Sequence, residues 1–352
     1  MPAVANTTTN VLMNNHTFSA DLFSFRPSQD IISNEVLYLL EQIIDIGLCL
    51  TLSITGILTN GLVIAVFTRQ GRNDSVIKSL TAIAWCDLLI CVFSFLHRMH
   101  GFLHLISPAV AFSWKNISTL TTLSLAVYIS EVSSGLAACV AAERCFCVSF
   151  PFKAKQFVSP RHTVIVLVFI AVVIFTLFLP YHCTWRLKVS YSAVYGQNVV
   201  FLIIDPSAGL LRLQYDLTAS VWSVFFFLIM VFSTVIIMIH LKRSTKFRSG
   251  SQGPSIKVDN RASATERKVE KMLVTLILVY IGLVYIPRFL HHSCRVLFPG
   301  FYAFQKHHNV YYAVNYFFYV FYLSNSVINF FIYMKMNSDF RETFCNHFWP
   351  CS

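Results

Sequence analysis

The sequence predicts an all-α integral membrane protein, a bundle of seven spanning helices followed by a short amphipathic eighth. Composition is the first observation: of 352 residues, 56% are hydrophobic and only 12% charged. A soluble domain carries roughly 25% charged residues. Second, the mean hydropathy is +0.62. Third, the apolar residues gather in long continuous runs, and about 20 such residues cross a bilayer as a helix. An outer-membrane barrel would show short alternating strands instead.

Residues 1–42 are too polar for a cleavable signal peptide, so the first span is expected to act as the anchor. Acids outnumber the single base there, Arg26, and two sequons offer Asn6 and Asn15 for glycosylation. Spans are predicted near 43–67, 76–103, 118–142, 162–183, 214–241, 272–294 and 310–333, a bundle over 43–333. The loops after spans one, three and five carry Arg69, Arg72, Lys78, Lys153, Lys155 and Arg161. Nine bases face three acids between Lys242 and Lys271. Positive charge marks the cytoplasmic side, which puts the N-terminus outside and the tail inside, at the plasma membrane. The net charge of +11 is then mostly topological and argues against a nucleic-acid partner. Ser244 to Thr265 is rich in Ser, Gly and basic residues and reads as a flexible cytoplasmic loop. In the tail, 334–352, Phe340 and Phe344 stand four apart with charges between them, as in a helix lying on lipid.

Ten cysteines do not make a disulfide framework here. Cys49, Cys86, Cys91 and Cys139 fall within spans and read as packing residues. Cys145 and Cys147 lie near the cytosol, where thiols stay reduced. Cys345 and Cys351 are candidates for palmitoylation. Cys183 and Cys294 alone look extracellular, and their pairing is left open.

Charge inside a bilayer is costly and marks function by default. Asp87 stands in the middle of the second span, Asn60 in the first, Ser133 in the third, and Asn325 and Asn329 in the seventh. A lone membrane Asn commonly does no more than bond a neighbouring helix, but five such groups on four helices suggest one polar site. At the end of the third span, Glu143 and Arg144 read either as snorkelling charges or as a switch.

These residues resemble those of a rhodopsin-like (class A) G-protein-coupled receptor over Gly56 to Phe344. The first span has Gly56 and Asn60 and the second Asp87. The third has Glu143-Arg144-Cys145 in place of an acid-Arg-Tyr motif. Val284, Tyr285 and Pro287 resemble the family's sixth-helix Cys-Trp-x-Pro, and Asn329 and Tyr333 its seventh-helix Asn-Pro-x-x-Tyr. There are departures. Phe330 replaces the seventh-helix proline, the fifth span lacks its proline and tyrosine, and the fourth lacks tryptophan. Thr119 stands where the family has a cysteine, so the common disulfide cannot form. The branch is similar to invertebrate orphan peptide or chemosensory receptors.

The resemblance implies that Asp87, Ser133, Asn325 and Asn329 surround a sodium ion in the inactive state, the one cofactor in prospect. It implies that activation moves Tyr333 inward, frees Arg144 from Glu143, and presents Arg144 to a heterotrimeric G protein. Tyr285, Pro287 and Asn329 complete the switch, and arrestin is a further expected partner beside membrane lipids. Ala126 sits where amine receptors carry an aspartate, which argues against a monoamine. No lysine between Val310 and Tyr333 could hold retinal. His97, Arg98, Glu131, Arg288, His292, Asn315 and Tyr319 fall in the extracellular half as a candidate ligand pocket. Arg98 and Arg288 favour an anionic group, the alternative being an internal pair between Glu131 and Arg288. The expected function is a ligand-activated receptor for a neuropeptide, with a small anionic chemosensory ligand as alternative. A transporter would show inverted repeats or broken helices, which the sequence lacks. An enzyme would want several His or Asp residues placed for chemistry, and His307-His308 alone is loop chemistry.

Overall fold

The computed structural model describes residues 31–71, 75–150, 160–249, 257–302 and 305–349. Asn6, Asn15, Arg72, Lys153, Lys155 and Cys351 lie outside them. Among the described residues, seven helices are long and apolar enough to cross a membrane. They are α1 (Asn34–Gln70), α2 (Ser75–Arg98, with a short continuation His100–Ile106), α3 (Pro108–Ser149), α4 (Pro160–His182), α5 (Gly209–Ser249), α6 (257–297) and α7 (His308–Met336). Ser338–His347 forms the short α8. Between α4 and α5 stands a hairpin of β1 (Trp185–Ser192) and β2 (Gln197–Ile204).

Packing follows chain order and closes where α7 meets α1. α3 is the most enclosed of the seven and α4 the least. Small residues let α3 sit in the middle: a side chain at Gly135 would meet Ile170 of α4 and Phe226 of α5. Val164, Ile165 and Phe169 of α4, with Val221 and Phe232 of α5, face outward, as a lipid-facing surface requires. α1 ends at Gly71, whose φ of 60° is the left-handed turn that stops a helix without strain.

The spanning helices are longer than predicted. α3 starts ten residues early because Ser107 accepts the Val110 N–H and Pro108 opens the first turn. Its stretch Ser113 to Asn116 remains helical, with Ser113 and Asn116 facing the hairpin and Trp114 and Lys115 reaching α2 and α1. α5 and α6 extend into the stretch expected as a flexible loop, to Ser249 and from Lys257, leaving 250–256 outside the described residues. Among the described residues, three wide π segments interrupt the helices in the half nearest the hairpin, at Glu41–Cys49, Thr119–Leu123 and Ile281–Tyr285. The third precedes Pro287, which has no N–H to give the preceding turn.

The hairpin was not expected from sequence. Val199 and Phe201 of β2 pack on Ala109 and Phe112 at the start of α3. The Ser113 hydroxyl accepts the Val200 N–H at 3.1 Å, and the Asn116 amide donates to the Val200 carbonyl at 3.0 Å. After β2, Asp205 accepts from the Ser207 hydroxyl and N–H, and those bonds hold its carboxyl below the ordinary range. The hairpin is therefore tied to α3 without a disulfide. Cys183 and Cys294 are free thiols, which corrects the pairing left open above. α5 packs against both α4, which Cys183 follows, and α6, which carries Cys294, and stands between them.

Candidate functional site

At mid-bundle, α2, α3 and α7 each contribute a buried polar group. The Asp87 carboxylate accepts from the Asn329 amide at 3.0 Å. Asn60 donates to the Gly56 carbonyl at 2.9 Å and to the Ser326 carbonyl at 3.0 Å, tying α1 to α7. The Ser133 hydroxyl and the Asn325 carbonyl oxygen are buried without a hydrogen-bond partner. Burying such oxygens unpaired costs about 1–3 kcal/mol each, so both call for a donor or a cation. Of the sequence-predicted residues, Asp87 and Asn329 meet directly, and Asn60 ties α1 to α7 through Ser326.

At the α8 end, Arg144 donates to the Glu143 carboxylate at 2.8 Å, both half-buried, and the Arg144 Nε has no partner. Tyr333 is buried, its ring 5.3 Å from Phe67 and 5.5 Å from Phe340. Tyr285 is buried and reaches the Ser134 carbonyl at 3.4 Å, a weak bond. Tyr280, absent from the sequence reading, shares a 2.8 Å bond with the Ser134 hydroxyl. Cys345 lies on α8 and is disulfide-bonded, so acylation there requires its reduction first.

Phe330 turns toward α8 rather than lipid. Its ring stands 6.1 Å from Phe340 and 5.6 Å from Phe344, and α7 runs as an unbroken α-helix past it. Phe330→Pro removes a backbone donor, costs about 3 kcal/mol of helix and strips the ring from α8. Basal nucleotide exchange at matched surface expression is expected to shift. An unchanged basal rate would mean that the path of Tyr333 is set elsewhere.

At the hairpin end, every arginine of the sequence-predicted pocket has an acidic partner. Arg98 is fully buried. It donates to the Asp45 carboxylate at 2.6 Å and to the Asp45 and Ser94 carbonyls at 3.0 and 3.1 Å. Its guanidinium lies 5.3 Å from the centre of the Tyr319 ring. Arg288 donates to Glu131 at 2.9 Å, Ser130 at 2.8 Å and Ser134 at 3.2 Å, all buried. Neither arginine is left free for an anion, and the internal Glu131–Arg288 pair is the arrangement found. His97 bonds the Ser118 hydroxyl at 2.9 Å. Glu41, unread in the sequence, accepts from both Lys115 and His100. Asn315 bonds the Tyr311 carbonyl of its own helix, and His292 packs beside His291. Asp45 carried the same signal as Asp87, a carboxylate inside an apolar run.

A packed helical interior with polar groups at one mouth, at mid-depth and at the opposite end is the arrangement of a seven-helix receptor, in which opposite faces communicate. The family model for the 7 transmembrane receptor (rhodopsin family) matches residues 59–333, and the chain belongs to that family. No protein of curated function matches it. As a member it is a multi-pass plasma-membrane receptor that works with a ligand and a heterotrimeric G protein.

Proposed function

We propose that this receptor binds an extracellular peptide at the hairpin end and couples from the α8 end, with its N-terminus outside. The hairpin carries the peptide reading. β2 is pinned to α3 at Val200, whereas among the described residues no main-chain bond covers the far edge of β1. An open strand edge pairs readily with an extended chain. Leu187, Val189 and Tyr191 alternate along β1 and are all exposed, a row of apolar side chains beside that edge. The test applies a peptide library to cells expressing the full chain, with calcium and cAMP read together. Responses to peptides, lost on Pro substitution within β1, support the reading. Responses confined to small molecules sink it.

In this reading Arg144 faces the G protein once it leaves Glu143, with Tyr333 moving inward, and arrestin binds the same end. Asp87, Ser133, Asn325 and Asn329 fit sodium because two of their oxygens lack partners and hard cations favour oxygen. The ion would supply the charge that offsets the burial of Asp87. Replacing choline chloride by sodium chloride is expected to raise the melting temperature of the purified receptor by about 3 °C. In Asp87→Asn the rise should vanish. Equal rises in both proteins return these residues to structural bonding.

A further inference from the structure

The deep arginines are each paired with an acid, whereas around Tyr302 the described residues set one carboxylate against two arginines. Arg212 and Arg295 stand over the same ring, Tyr302, at 4.6 and 4.7 Å from its centre. Among the described residues the carboxylate at this ring is Asp216, 2.8 Å from Arg295 and accepting the Tyr302 hydroxyl at 2.9 Å. The Arg295–Asp216 contact runs through a terminal guanidinium nitrogen and is close yet poorly aligned, since that Asp216 oxygen has no hydrogen-bond partner, and the Arg295 Nε is buried and unpartnered as well. The Arg212 Nε is likewise buried and unpartnered. Among the described residues, further titratable neighbours of Arg295 include the phenols Tyr215 and Tyr311 and the histidines His291 and His292.

We propose that Arg212, Arg295 and Tyr302 form a carboxylate-binding site at the junction of α5, α6 and the loop before α7. Two guanidinium groups against one carboxylate leave a single positive charge, which matches a monoanion. Guanidinium N–H groups suit the two oxygens of a carboxylate. Tyr302 holds both cations by ring contact, so the donors stay placed when the site is empty. The site deepens the receptor reading by giving the ligand a carboxylate, and its test is independent of coupling.

The purified full chain in nanodiscs is melted in rising sodium acetate against sodium chloride, at constant sodium and ionic strength. Acetate is expected to stabilise it saturably. Arg212→Gln, compared with its own melting temperature in chloride, should raise the half-saturating acetate roughly 10- to 100-fold. Asp216→Asn, which removes the competing acid, should lower it. Acetyl-Phe-Leu with a free or an amidated C-terminus distinguishes the sources: a stronger effect of the free peptide than of acetate assigns the site to a peptide terminus, and equal effects assign it to small carboxylates. No saturable effect in the parent, the same response in Arg212→Gln, or a stronger response to sulfate overturns the site. Peptide-driven signalling would then still stand on its own test.

Discussion

Arg288→Met is expected to destabilise the receptor more than any other single change considered. It leaves the Glu131 carboxylate buried without its cation and takes donors from Ser130 and Ser134. Breaking a buried pair from one side typically costs about 3–5 kcal/mol, whereas replacing both members is often neutral. The double variant Glu131→Gln/Arg288→Met should therefore recover most of what the single variant loses. Thermal melting of the purified proteins and surface expression in cells both read the effect. A single variant as stable as the parent would show that Glu131 is protonated or solvated without Arg288.

Arg144→Ala is expected to remove G-protein coupling while sparing ligand binding. Arg144 closes the α8 end of α3 and is held by its neighbour Glu143, with one donor still unused. If the freed guanidinium is what the G protein reads, losing it removes a coupling energy whose usual size corresponds to roughly 5- to 150-fold. Nucleotide exchange in membranes, normalised to surface receptor, measures it. Undiminished exchange in the variant would make Arg144 a snorkelling charge and nothing more.

Lipid demands long apolar runs, so the seven spans were legible from composition and run length. Their ends were not, because Ser113 to Asn116 stay helical while bonded to the hairpin and to neighbouring helices rather than facing lipid. The hairpin itself had a signal that went unread: Leu187, Val189 and Tyr191 alternate with Arg186, Lys188 and Ser190, a period of two. Asp87 and Asn329 were legible as members of one polar group, because oxygen-bearing side chains recur mid-span on four helices, but the direct bond between them was not. Asp45 satisfied the same rule, but its pairing with Arg98 depends on how α1 turns against α2, which spacing along one chain does not contain. Tyr302 was still less accessible, since a loop tyrosine acquires meaning only when two helices bring arginines to its ring.

The tie between the hairpin and α3 has a consequence for how this receptor matures. Ring packing and two hydrogen bonds at Val200 do the work of a covalent crosslink. The mouth can then assemble with no oxidation step, and thiol reductants that open crosslinked mouths leave this one shut.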